Sequence, residues 1–301
     1  AALDPSFATA QRNLGFAHAR VLGDLPSAVS RLEKAVAANP KDPRLYYELD
    51  VLYEQAGTAL AKRLALLERN HGVVARRDDA LAREISLLIR SGRYTRAIDL
   101  LTTHHFHIWE GGGEVHNLWV EAFLARGRSS LEKKNAAEAK RDFERALEYP
   151  ENLEVGPPTD GGGWPKIYFF IGAATEAAGD QAKASEAFEK AARFRPGWSE
   201  QSYYRGLALR KLGREAEASE LFDGLIAFAE ERIRTTPGMD FFEKFGEKQS
   251  ARVQEAGQRF LLGLGLAGKG MKREAAEEFS RALALDPNLD EARRSLEALK
   301  K

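Results

Sequence analysis

Residues 164–196, WPKIYFFIGAATEAAGDQAKASEAFEKAARFRP, decide how the chain is read. Tyr168, Ile171, Gly172, Thr175 and Gly179, followed by Ala184, Phe188, Ala191 and Pro196, stand at the spacings of a complete helix-turn-helix repeat. Gly172 and Ala184 are small where two helices must approach closely, and Phe188 is the knob that fills the gap beside them. Gly179 can adopt the left-handed conformation that ends the first helix.

Working outward, the second-helix signature recurs with small anchors at Ala28, Ala97, Ala139, Ala184, Ala218 and Ala275. Each is followed four residues later by an apolar knob: Leu32, Leu101, Phe143, Phe188, Phe222 and Phe279. A seventh, degenerate unit keeps the first-helix spacing in Tyr46, Leu49, Tyr53 and Gly57, which puts Lys62 and Leu66 at its anchor positions. Counting Lys62, successive anchors are 34, 35, 42, 45, 34 and 57 residues apart. A period of about 34 residues resembles the tetratricopeptide repeat, so the longer spacings locate insertions. These fall near 104–114, 150–163 and 224–250. The second is loop-like in its Pro and Gly content. The third reads as a helix prolonged through Arg234, a break at Thr236-Pro237-Gly238, and a further helix. After Pro287, NLDEARRSLEALKK reads as a polar-faced capping helix. The expected fold is therefore all-α, a right-handed α-solenoid of about seven tetratricopeptide-like helix pairs in a single array over residues 1–301. The opening LDP at Leu3 to Pro5 matches the LDP that closes a repeat at Leu285 to Pro287. On this reading the chain begins just after a preceding repeat.

Composition narrows the function classes. Lys+Arg and Asp+Glu both number 45, so no overall basic field points to nucleic acid or an anionic membrane. No apolar run approaches the roughly 20 residues of a membrane-spanning helix. With Cys 0, disulfides, zinc thiolate sites and thiol nucleophiles are excluded, in keeping with a reducing compartment such as the cytoplasm. No motif calls for a cofactor.

In this register the first helices offer Arg44, Tyr47, Glu48, Arg83, Arg128, Phe169, Phe170, Tyr203, Tyr204, Arg210, Lys211 and Phe260 to a concave groove. Mixed aromatic and cationic groups suit an extended peptide or acidic tail. Burial between repeats is the competing reading for the aromatics. Asp50 in ELDVLYE occupies a position where a small residue would pack, and a buried carboxylate must be paired. Arg83 or Arg90 on the next first helix could serve. An ion pair that fixes register is the simpler reading, and a role in a ligand site the other.

One stretch departs from the repeat. THHFHIWEGGGEVHNLWVEAF concentrates His104, His105, His107 and His116 around Trp109, Glu110, Glu114 and the turn Gly111 to Gly113, and repeat packing alone does not account for it. Four readings stay open. His105 and His107 with Glu110 or His116 could hold a metal, although no HExxH-like pair is present. Trp109 could be a sugar-stacking platform with Glu110 and His104 as partners. The tract could dock onto another domain. Or Trp109 and Phe106 could plug a gap in an irregular repeat.

LDPSFATAQRNLG (Leu3 to Gly15), LYYELDVLYEQAG (Leu45 to Gly57), ERN with RRDDALAREISLL (Glu68 to Leu88), HFHIWEGGGEVHNLWVEA (His105 to Ala122) and ALEYPENLEVGPP (Ala146 to Pro158) carry a further resemblance. Together they resemble the C-terminal tetratricopeptide region of large bacterial proteins that have a mutarotase-like β-sandwich ahead of the repeats. WEGG and PENL are its most specific marks. The resemblance implies a helical accessory part of a carbohydrate-active protein, and it brings no catalytic residue. The primary expectation is a non-enzymatic scaffold for a protein, a peptide or a preceding domain, binding by the groove and the His/Trp insertion. A carbohydrate-associated accessory region is the alternative.

Overall fold

The computed structural model describes residues 7–107, 113–157, 164–195, 197–235 and 251–300. Trp109, Glu110 and Pro196 lie outside the described residues, as does the break at Thr236 to Gly238. Among the described residues the chain forms sixteen α-helices, one short 3-10 turn and no strand. They group into two compact units, Ala1–Arg126 with Glu148–Gly156, and Gly127–Leu147 with Pro157–Lys301.

The first unit pairs α1 (Ala8–Arg20) with α2 (Leu25–Ala38), and α3 (Pro43–Gln55) with α4 (Leu60–Arg69) and the short α5 (His71–Val74). It continues with α6 (Asp78–Arg90), α7 (Tyr94–Thr103) and the first part of α8 (Gly113–Glu132). The 3-10 turn Glu151–Leu153 completes it. The rest of α8 belongs to the second unit with α9 (Ala136–Arg145), α10 (Pro165–Ala177), α11 (Gln181–Arg193), α12 (Glu200–Lys211), α13 (Glu215–Thr235), α14 (Ala251–Gly268), α15 (Lys272–Leu285) and α16 (Asp290–Ala298).

Local chemistry sets these boundaries. Pro26, Pro43 and Pro165 sit in first turns, where the missing N–H costs no helical bond. Asp24, Asp42 and Asp180 precede α2, α3 and α11 and accept hydrogen bonds from the amides of Ser27, Arg44 and Lys183. Gly179 takes φ +90° between α10 and α11, as the turn requires. Lys134 makes the equivalent turn after α8 with φ 63°, against the ordinary preference of a side-chain-bearing residue.

The six regular anchor alanines are all no more than 1% exposed, and their six knobs no more than 2%. The second unit repeats one contact four times: a Cβ on Gly127, Gly172, Gly206 or Gly263 would lie 2.5 Å from Cε1 of Phe143, Phe188, Phe222 or Phe279, respectively. Each glycine thus admits an aromatic ring against bare backbone, and each buried ring contributes roughly 1.5–3 kcal/mol. The repeat is of the tetratricopeptide type.

The degenerate unit corrects the expected register by one residue. Lys62 is exposed and Leu66 only half-buried, whereas Arg63 and Leu67 are buried. The connection through Thr58 and Ala59 shifts α4 by one position, which makes Arg63 and Leu67 the true anchor and knob. At the C-terminus, Ala292 on α16 is fully buried, with Leu289, Leu296 and Leu299 packed against the core of α14 and α15. It closes the last pair as a cap.

Candidate functional site

In the first unit the small-residue contact of the α3–α4 pair is replaced by charge. Asp50 takes the first-helix position and Arg63 the anchor position, and a bidentate pair joins them at 2.8 and 2.9 Å. Arg83 on α6 adds a hydrogen bond from Nε to Asp50 Oδ2 at 2.6 Å and one from Nη2 to Glu54 at 2.7 Å. Arg63 and Arg90 also reach Glu54, at 3.0 and 3.3 Å. Burial works to raise the Glu54 carboxyl, but Arg83 and Arg63 outweigh it and hold the group below the ordinary carboxylate range. Asp50 is wholly enclosed and Arg63 nearly so, so this is a core element spanning three helices. Arg83 is a partner of Asp50 as expected, Arg90 instead serves Glu54, and Arg63 is the partner that pattern spacing hides, because that spacing puts Lys62 at the anchor.

Nearby, Glu48 is buried and paired with Arg12 of α1. Arg44 is exposed and bonded to Asp42, and Tyr47 is half-buried.

The histidine tract is divided among separate partners. His104 Nε2 meets Asp78 Oδ1 at 2.8 Å, and His107 meets Asp78 Oδ2 through its amide at 2.9 Å and Nδ1 at 3.2 Å. Burial tends to raise Asp78, but these bonds outweigh it and lower its pKa. His105 pairs with Glu154 at 2.8 Å. His116 is buried on α8, stacked on Tyr149 with centroids 3.9 Å apart, and its Nε2 lies 3.1 Å from the Glu148 carbonyl. Burial lowers the His116 pKa, which favours the neutral ring. Among the described residues no group of three His, Asp or Glu is placed to hold a metal ion.

Packing accounts for Phe106 and His116, whereas the His105 and His107 side chains are exposed. Phe106 is fully buried, and its amide donates to the Asn152 carbonyl at 2.7 Å. The Asn152 side chain in turn donates to the carbonyls of Leu101 and His104 at 2.9 and 2.7 Å. PENL therefore clamps the end of α7, with Leu153 buried beside it.

The second unit presents the aromatic residues expected of the first helices. Phe169 and Phe170 on α10 meet Tyr204 on α12 at centroid separations of 5.6 and 5.4 Å, and Tyr203 lies 5.3 Å from Tyr204. All four are half-buried, whereas Phe260 is buried. Arg210 donates to Glu215 and to the Gly268 carbonyl, and Lys211 pairs with Glu176, so these two of the expected groove cations are engaged between helices.

Sequence reasoning missed Lys166, whose side chain is 8% exposed at the start of α10. Its ammonium lies 2.9 and 3.0 Å from the oxygens of Glu200 and 2.8 Å from Glu291. Arg128 stands 3.8 Å from Glu291, and Arg294 2.9 Å. Burial works against the charge on Lys166, yet the two carboxylates raise its pKa. Glu291 is held well below the usual range, with Lys166, Arg128 and Arg294 overcoming burial, whereas burial and the Glu291 charge keep Glu200 raised. The signal in the sequence was a lysine in an otherwise apolar WPKIYFF.

No family model matches the chain. Among solved structures it is similar to a tetratricopeptide repeat protein from Parabacteroides merdae ATCC 43184, at 17% identity over 98% of this chain and 99% of that one, TM-score 0.47. It is also similar to the C-terminal part of a TPR repeat-containing protein from Cytophaga hutchinsonii, at 15% identity over 97% and 99%, TM-score 0.42. MamA protein is a third, at 18% identity over 70% and 94%, TM-score 0.42. Among the described residues no helix is long and apolar enough to cross a membrane.

Proposed function

We propose that the protein is a non-enzymatic scaffold that holds a peptide segment of a partner, or of a neighbouring domain, on the first-helix faces of its repeats. The observation that supports this reading is the run of half-buried rings Phe169, Phe170, Tyr203 and Tyr204 across α10 and α12, flanked by Arg128 and Lys166. Rigid aromatic surface with adjacent charge binds extended chains at small entropic cost. The described histidine–carboxylate pairs act as caps and staples of α6, α7 and the PENL turn, in keeping with a role other than catalysis. Peptides selected from a random phage-displayed library are expected to slow amide hydrogen exchange in α10 and α12. Protection confined to α11 and α13, or failure to select any peptide, would refute the scaffold reading.

The second reading is an accessory region of a carbohydrate-active protein, with the loop around Trp109 contributing to a sugar site. It is favoured by the clamp of PENL on the end of α7, at His104, a few residues before Trp109 in the sequence. Glycan-array binding that disappears on Trp109→Ala would select this reading over the first.

A further inference from the structure

Lys166 raises a question that repeat packing leaves unanswered. A buried ammonium in the first turn of α10 sits at the end of the helix where the backbone dipole disfavours a cation. One carboxylate, Glu200 on the neighbouring α12, already chelates it with both oxygens. The second, Glu291, lies 125 residues away in sequence, on α16. Beside them Arg128 lies over the Phe170 ring at 5.6 Å, and Lys166 lies over Tyr204 at 5.5 Å. Without Glu291, Lys166 and Arg128 would face a single carboxylate between two aromatic walls. That is a place for one more carboxylate.

Glu291 is well suited to vacate it. The apolar residues of α16 hold that helix on α14 and α15 independently of this contact. The Glu291 side chain remains 20% exposed, and Arg294 on the same helix already binds it at 2.9 Å. A Glu291 that turned outward would keep Arg294 and the favourable first turn of α16. Exchange would then replace one carboxylate by another and leave no buried cation unpaired.

We propose that Lys166 and Arg128 form a carboxylate-binding site on the first-helix face, and that Glu291 is its built-in competitor, displaced by an acidic side chain of a bound peptide. This rests on the scaffold reading and adds the chemistry of the partner: Asp or Glu beside an apolar or aromatic residue. The device sets a threshold, because a partner must outcompete a tethered group at high effective concentration.

The test uses the full chain and a fluorescein-labelled hexaglutamate peptide, with its glutamine counterpart as control, read by anisotropy. Glu291→Gln keeps the shape and removes the competitor, so affinity for hexaglutamate is expected to rise about tenfold, the worth of one charge-assisted contact. The glutamine peptide should show no rise, and Arg128→Gln added to Glu291→Gln should abolish the gain. Equal affinity of wild type and Glu291→Gln, or a gain that survives Arg128→Gln, overturns the proposal. Glu291→Ala serves as a second variant, and circular dichroism melting shows whether either remains folded. Should both unfold, chemical-shift changes at Tyr204 in the wild type on adding hexaglutamate decide instead: their appearance supports the site, and their absence refutes it. If Glu291→Gln gains nothing while selected peptides still protect α10 and α12, the carboxylate site fails and the scaffold stands. Without such protection the scaffold itself fails.

Discussion

The two units solve the same close approach of paired helices with different chemistry. In the second unit, four glycines lie under four phenylalanine rings with the same 2.5 Å clearance for an added Cβ. In the first, the Gly15 backbone meets Leu32, while the α3–α4 pair opposes Asp50 to Arg63. Apolar contact of this kind is tolerant of direction and self-sufficient within a pair. The ionic version is directional and recruits Arg83 from α6, so register along the first unit is tied across three helices rather than two. A small residue lets neighbours come together, whereas a charged one specifies which neighbour comes.

The sharpest way to break this contrast is Asp50→Ala, which leaves two arginines, Arg63 and Arg83, to share the Glu54 carboxylate. A loss of about 3–5 kcal/mol in urea unfolding is expected, as for one partner removed from a buried pair. Asp50→Gly with Arg63→Ala imports the pattern of the second unit and should recover much of that loss. Failure of the double variant to exceed Asp50→Ala would show that the ionic solution is not interchangeable with the apolar one. Next in size, Gly172→Ala forces a methyl into the Phe188 ring and should cost about 1–3 kcal/mol by overpacking. Phe188→Leu, which copies the knob of the first unit, is expected to relieve part of that cost in thermal melts.

The smallest effect concerns pH. His116 has a folded-state pKa below its unfolded value of 6.5, so the unfolded chain binds a proton first as the solution is acidified. Stability of the first unit should therefore fall as pH drops below about 6.5 and level off once the folded-state pKa is passed. Amide exchange in the first part of α8 is the readout. Exchange independent of pH between 7 and 5, after correction for intrinsic rates, would remove His116 from the account.

Much of this was legible in the sequence, because anchor and knob residues are fixed by helix geometry. Ala184 and Phe188 have to be small and large wherever two helices cross in this way. Three things were not legible. The connection at Thr58 and Ala59 is one residue longer than pattern spacing assumes, and it moved the anchor from Lys62 to Arg63. The clamp of Asn152 on α7 joins residues 48 and 51 positions apart, and no local pattern encodes it. Lys166 lay hidden because its counter-charges come from α12 and α16, so its role exists only after folding.

The first unit takes its last piece from beyond a departure of the chain. Residues 127–147 belong to the second unit, and only then does 148–156 return with Asn152 and Leu153. A ribosome must therefore have released the start of the second unit before the first can be finished. Nascent chains ending near Arg126 would lack the Asn152 bonds that hold Phe106 and the end of α7, which leaves that end for chaperones or proteases to find. Any division of this protein for expression at a single cut after α7 or within α8 meets the same difficulty, because the chain passes from one unit to the other more than once.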